Sequence, residues 1–278
     1  MEYQKTIARE GSLHGIGVHS GVKTTLTLKP APADNGIVFR RVDLPGRPIV
    51  RATADAVIGT DHGTTLGIEG GEVRTIEHLM AALSGLGIDN AEVEIDGPEV
   101  PMMDGSALPF IKMIRREGTR ELKKPREVIS LSRPVYLIES ELFLAAFPAD
   151  KLRISCTIAF NHPMLRSQYL SRPINPDIFE KEIAPARTFG FYRDALPLFE
   201  RGLIKGTSLE NTVVIGEDNI FSRDGLRFPD ECIRHKILDL LGDLSLLGHP
   251  IKAMIVAIKP GHDINIKLVK KMREVINE

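Results

Sequence analysis

The sequence predicts an α+β protein made of two similar domains that face one another, residues 1–125 and 126–278. Three observations predict it. Each half opens on strand-like segments and later carries a helix, a strand and a further helix. A polar, charged, proline-broken stretch, 118–127, lies between the halves and reads as a linker. A shift of 161 residues also lays His78-Leu-Met-Ala-Ala-Leu-Ser-Gly-Leu-Gly87 on Asp239-Leu-Leu-Gly-Asp-Leu-Ser-Leu-Leu-Gly248. His78 then falls on Asp239, one ligand-type position per half, which puts a site between the domains.

The bulk properties agree. A chain of 278 residues has ample length for two cores. A net charge of −1 with 26% charged residues gives no sign of a nucleic-acid or polyanion binder. No apolar run approaches the roughly 18–20 residues that span a membrane. The opening Met-Glu-Tyr-Gln-Lys-Thr lacks the apolar core of a signal peptide. Cys156 and Cys232 are too few for a disulfide framework and read as reduced thiols in a cytoplasmic protein.

In the first half, Gly15-Ile-Gly-Val-His19-Ser-Gly21 either shapes a hairpin or lets backbone approach a ligand, with His19 as a weak site candidate. Thr24–Lys29 alternates, Pro30–Gly36 is turn-rich, and Ile37–Arg41 is a second strand. Residues 42–66, broken by proline and glycine, read as a small insert or a long functional loop. Thr75 is the expected N-cap of a helix whose buried stripe is Ile76, Leu79, Met80 and Leu83. Glu77 and His78 fall in its first turn, where a carboxylate compensates the helix dipole or handles a proton beside His78. A strand over Ala91–Ile95, a turn at Pro101–Ser106 and a helix over 107–116 complete this half.

The second half restarts with strands over Val128–Leu131, Val135–Ile138, Leu142–Phe147 and Leu152–Phe160. A helix around Asp177–Ile183 and an amphipathic run ending at Arg201 follow, then the strand-like Thr212–Ile215. In the helix from Glu231 to Asp243, Ile233, Ile237, Leu240, Leu241 and Leu244 form the apolar stripe. His235 and Asp239, an i, i+4 pair, project from the opposite side. A strand over Ala253–Ile258, a turn through Gly261-His262 and a helix over 265–277 end the chain.

A His–Asp pair opposite an apolar stripe is either a solvated face or two metal ligands. With His78 it makes a two-His, one-carboxylate set that leaves coordination open for water. Such a site runs metal-assisted hydrolysis, in which Zn²⁺ lowers the pKa of its water to about 7. Glu77 then suits the base, and His262 a protonated partner for oxyanion or leaving amine. Asp243 can orient His262, while Thr188 and Lys236 can supply donors. Non-haem Fe(II) oxygenases use the same ligand set, typically on jelly-roll strands rather than helices. A domain pair with no catalysis is the third class. The residues alone put a hydrolase first and assign no substrate.

Seven segments in order resemble the UDP-3-O-acyl-N-acetylglucosamine deacetylases, the zinc enzymes of lipid A biosynthesis. They are Gly15–Gly21, Thr75-Ile-Glu-His-Leu79, Pro101–Ser106, Ala186-Arg-Thr-Phe-Gly-Phe191, Asp224-Gly-Leu-Arg-Phe228, Arg234–Asp239 with Gly242-Asp243, and Gly261-His262. The resemblance implies zinc on His78, His235 and Asp239, with Fe²⁺ possible in the same site. It implies Glu77 as general base, His262 as the protonated group with Asp243 behind it, and Thr188 as the oxyanion hydroxyl. Lys236, Phe189, Phe160 and His19 are implied near substrate or metal. The implied fold has a sheet layered with helices in each domain, helices packed between the two sheets, and one small insert per domain. The second insert, about 192–222, would shape a passage for the acyl chain. Asp61 and His62 make the loop at 59–66 more polar than in many relatives, so His62 is expected at the mouth of that passage. The implied partner is an acylated UDP-amino sugar, with at most peripheral membrane contact, met by a cytoplasmic monomer.

Overall fold

The computed structural model describes residues 2–277. Its architecture is α+β. The first sheet is five-stranded, in the spatial order Gly11–Ile16, Lys23–Pro30, Ala91–Ile95, Ile37–Arg41, Ile49–Arg51. The second runs Val135–Glu139, Leu142–Pro148, Ile251–Ile258, Arg153–Ala159, Ser167–Pro173, with Ile129–Ser130 alongside Ile251–Ile258.

The two sheets share one topology. In each, two hairpins flank a central strand that comes last in the chain, antiparallel to the first hairpin and parallel to the second. In each, that strand follows one helix and precedes another. The weak sequence echo therefore marks a repeated supersecondary unit. Side chains alternate between buried and more exposed along Ala91–Ile95 and Ile251–Ile258, so each sheet covers a core with one face.

The helices Glu77–Gly85 and Glu231–Leu244 pack directly on each other. Leu79, Met80 and Leu83 on one, with Ile233, Ile237, Leu240 and Leu241 on the other, are all buried. Burying each such side chain contributes about 1.5–3 kcal/mol before entropy is counted. Gly242 sets how closely the helices approach, since a Cβ there would lie 2.2 Å from the Glu77 carbonyl oxygen. The helices Leu108–Glu117 and His262–Asn277 lie on the first and second sheets respectively.

Two small additions stand beside these layers. Val57–Gly59, Thr65–Ile68 and Gly71–Val73 form a three-stranded sheet. Phe189–Phe191, Val213–Ile215 and Ile220–Phe221 form another, with the helix Tyr192–Glu200 crossing between its first two strands. The second falls close to its expected range, whereas the first runs on to Val73, beyond the expected 42–66, and Ile49–Arg51 of that range belongs to the five-stranded sheet.

Several local expectations change. The stretch read as a linker contains the strand Thr119–Pro125, which pairs antiparallel with Tyr3–Ile7. Its residues are largely exposed, so no apolar alternation advertised it. Thr75 is not the N-cap: it sits at φ +56° and its hydroxyl donates to Glu99 Oε1 at 2.9 Å. The expected helix at Asp177–Ile183 is one turn, Pro176–Ile178, capped by the Asn175 side chain, followed by a π-helical turn over Phe179–Ile183. Ser167–Pro173 is an unanticipated strand, and the last helix begins at His262 rather than 265. Cys156 and Cys232 are free and buried, and burial pushes both thiols up to about 12. Among the described residues no helix is long and apolar enough to cross a membrane.

Candidate metal centre

The paired helices carry the centre. His78 sits in the first turn of Glu77–Gly85; His235 and Asp239 sit one turn apart on Glu231–Leu244. His78 Nε2 and His235 Nε2 lie 3.6 and 3.2 Å from Asp239 Oδ1, and the two imidazoles meet edge to face at 4.8 Å. One ligand atom from each of the three lies within 4.8 Å of the others. All three residues are buried, so the solvated-face reading fails.

The donor set has the chemistry of a cation site. Asp239 Oδ1 is buried without a hydrogen-bond partner, which is costly for a carboxylate oxygen and suits it to bind a cation. Burial lowers the His235 pKa to about 4, so the imidazole is neutral as a ligand must be. His235 Nδ1 faces the Ala186 carbonyl at 3.1 Å, and since a carbonyl only accepts, Nδ1 carries the hydrogen and Nε2 keeps its lone pair. Lys236 Nζ donates to Asp239 Oδ2 at 2.8 Å. Burial works the other way, but the surrounding donors, the Lys236 ammonium among them, hold Asp239 well below the usual carboxylate range. A buried pair, Arg187 and Glu231, fixes the segment that presents Ala186. The guanidinium Nε and Nη2 donate to Glu231 at 2.8 and 3.1 Å, and Glu231 also accepts from the Arg187 and Arg227 amides.

Glu77 and His262 supply the titratable groups around this set. Burial raises the Glu77 carboxyl above its ordinary range, and its Oε2 accepts from the Thr64 amide at 2.9 Å. His262 Nδ1 donates to Asp243 Oδ2 at 2.9 Å. Asp243 is fully buried and also accepts from Asn265 Nδ2 at 2.8 Å and the Thr64 hydroxyl at 2.6 Å. Burial alone would lower the His262 pKa, but Asp243 first, then Glu77 and Asp239, raise it to about 9. With Nδ1 committed to Asp243, Nε2 is the nitrogen left to exchange a proton.

A cavity of about 820 Å³ opens onto these groups. Every candidate residue except Asp243 lines it: the ligand set, Glu77, Lys236 and His262, and also His19, His62, Phe160, Thr188 and Phe189. Asp243 stands behind His262. His19 Nε2 donates to the His62 carbonyl at 2.9 Å, while His19 Nδ1 is buried without a partner. His62 lies at the rim at φ +57°, its ring 3.5 Å from Asp61 Oδ1. Phe160, Phe189 and Phe191 stack edge to face at one end. Ala195, Leu198 and Ile204 of the second insert line the apolar part.

Sequence reasoning missed Thr64, Asn265 and Ala186. Thr64 lies in a loop with no periodicity to mark it, Asn265 is one polar residue near the start of the last helix, and Ala186 acts through its carbonyl.

The family model described as UDP-3-O-acyl N-acetylglycosamine deacetylase matches residues 4–274. Proteins named UDP-3-O-acyl-N-acetylglucosamine deacetylase from Myxococcus xanthus and Syntrophotalea carbinolica are 49% and 46% identical to the chain. The first match covers 97% of this chain and 86% of that protein, the second 98% and 88%. A protein of the same name from Bdellovibrio bacteriovorus is 44% identical over 98% of this chain and 90% of its own length. A match spanning both sheets, the paired helices and every residue of the buried cluster leaves one conclusion: the chain belongs to the UDP-3-O-acyl-N-acetylglucosamine deacetylase family.

Proposed function

We propose that this chain is a zinc-dependent deacetylase of lipid A biosynthesis, acting in the cytoplasm. It hydrolyses the N-acetyl group of UDP-3-O-acyl-N-acetylglucosamine to acetate and the free amine. The observation that carries the reading is the buried His78–His235–Asp239 set with its unpartnered Asp239 oxygen, sharing one cavity with Glu77 and His262.

His78, His235 and Asp239 hold the ion, and Fe²⁺ suits the same donors. When bound, the ion supplies Lewis acidity toward the amide carbonyl and makes a water easier to deprotonate. Glu77, its basicity increased by burial, takes the proton of the attacking water. The water oxygen bonds to the acetyl carbon, and the Thr188 hydroxyl donates to the developing oxyanion. His262, protonated below about 9, delivers its Nε2 proton to the amide nitrogen. The C–N bond then breaks, and acetate and amine leave. Lys236 keeps Asp239 oriented and ionised. Phe160 contacts the nucleotide and Phe189 the substrate, His19 stands near the metal, and His62 lies at the mouth where the acyl chain enters. The division between the two domains falls at 125/126, between the paired strand Thr119–Pro125 and the first strand of the second sheet. Every group in this scheme comes from one chain, as a monomer requires.

Incubation with UDP-3-O-acyl-N-acetylglucosamine followed by mass spectrometry tests the assignment. The reading requires loss of one acetyl group from the sugar nitrogen with the 3-O-acyl chain retained. Release of the ester-linked chain instead would contradict it.

A further inference from the structure

Thr64 touches both proton-handling groups at once. It is fully buried, between the strands Val57–Gly59 and Thr65–Ile68 of the first insert. Its amide donates to Glu77 Oε2 at 2.9 Å. Its hydroxyl donates to Asp243 Oδ1 at 2.6 Å and lies 3.4 Å from His262 Nδ1. Glu77 belongs to the first paired helix, Asp243 to the second, and His262 to the last helix, so one residue of an insert ties three elements.

The loop around Thr64 is fastened on its outer side. Gly63 is buried, and a Cβ there would meet Glu77 Oε1 at 3.2 Å, so its lack of a side chain lets the loop close on the carboxylate. The His62 carbonyl accepts from His19, and Asp61 pairs with Arg201 of the second insert at 2.5 Å.

We propose that Thr64 is a positioning residue for the deacetylation: its amide orients Glu77 while its hydroxyl orients the Asp243 carboxylate that holds His262. The proposal rests on the deacetylase reading. A hydroxyl has one proton to give. Directed at Asp243 Oδ1, it leaves Oδ2 to His262 and Asn265 and fixes the rotation of the carboxylate. Without that donor the carboxylate is less satisfied and pulls harder on the His262 proton, making His262 a weaker acid in a looser orientation.

Thr64→Val and Thr64→Ser test this, because valine keeps the shape and the amide while serine keeps the hydroxyl. Valine should lower kcat on the order of tenfold and move the alkaline limb of the pH profile upward, with metal content unchanged. Serine should stay close to the parent in both. The His262 ring titration, followed by NMR, should show the same upward shift in the valine variant without any turnover. Equal losses in the two variants, or a valine variant with unshifted limb and ring titration, would overturn the proposal. A parent protein that releases no acetate would instead sink the deacetylase reading, and the ring titration would still decide what Thr64 does to His262.

Discussion

Gly242 lies against the backbone of Glu77, so close that a Cβ at 242 would stand 2.2 Å from the Glu77 carbonyl oxygen. This contact brings the two ligand-bearing helices together. His78 follows Glu77 directly, and Asp239 lies one turn before Gly242, so separating the helices there opens the gap between His78 and Asp239.

Gly242→Ala should therefore destabilise the protein by about 1–3 kcal/mol, the usual cost of forcing extra volume into a packed contact. It should also weaken metal binding. Urea unfolding and a metal titration against a chromogenic chelator check both. An alanine accepted without loss of either would mean that other contacts set the helix spacing.

The ligand set and the base separate under mutation. His78→Ala should lose metal and activity together. Glu77→Ala should keep its metal and lose about 10²–10⁴-fold in turnover, the range expected for a general base. Metal analysis beside kcat gives the answer, and near-normal turnover in Glu77→Ala would remove it from the mechanism.

His262 predicts the alkaline limb. Its pKa is raised to about 9, so the proton is present below that pH and lost above it, and activity should fall as pH rises through about 9. Asp243→Asn removes the carboxylate that raises it, so the limb should move down toward the ordinary histidine value of about 6.5. A limb that stays in place in Asp243→Asn would assign it to another group.

Arg187→Ala should cost about 3–5 kcal/mol, because it leaves the Glu231 carboxylate buried with its ionic partner gone. Chemical denaturation measures this. A loss below about 1 kcal/mol would place the pair among the weak surface bridges despite its burial.

Much of the site was legible because its residues sit at helical spacing or next to one another. His235 and Asp239 are one turn apart, and Glu77 and His78 are adjacent. What periodicity left open was whether the second side of the 231–244 helix faces water or protein. The covering surface is the other helix, 146 or more residues away in the chain, and contacts such as Gly242–Glu77 and His78–Asp239 reveal it. The strand Thr119–Pro125 was hidden for a related reason: exposed on most positions, its charged side chains carry no apolar alternation, and its pairing with Tyr3–Ile7 is through backbone. Ala186 holds His235 through a carbonyl that every residue type possesses, and Thr64 holds Glu77 through an amide that only proline lacks. Residue identity cannot announce such roles.

The central claim is that this cavity removes an acetyl group with the help of a metal. Acetate release from UDP-3-O-acyl-N-acetylglucosamine, measured after chelation and again after adding back one equivalent of Zn²⁺, tests it most directly. The account predicts release that chelation abolishes and Zn²⁺ restores. Release that survives complete removal of the metal, or none from the folded, metal-loaded protein, would contradict it.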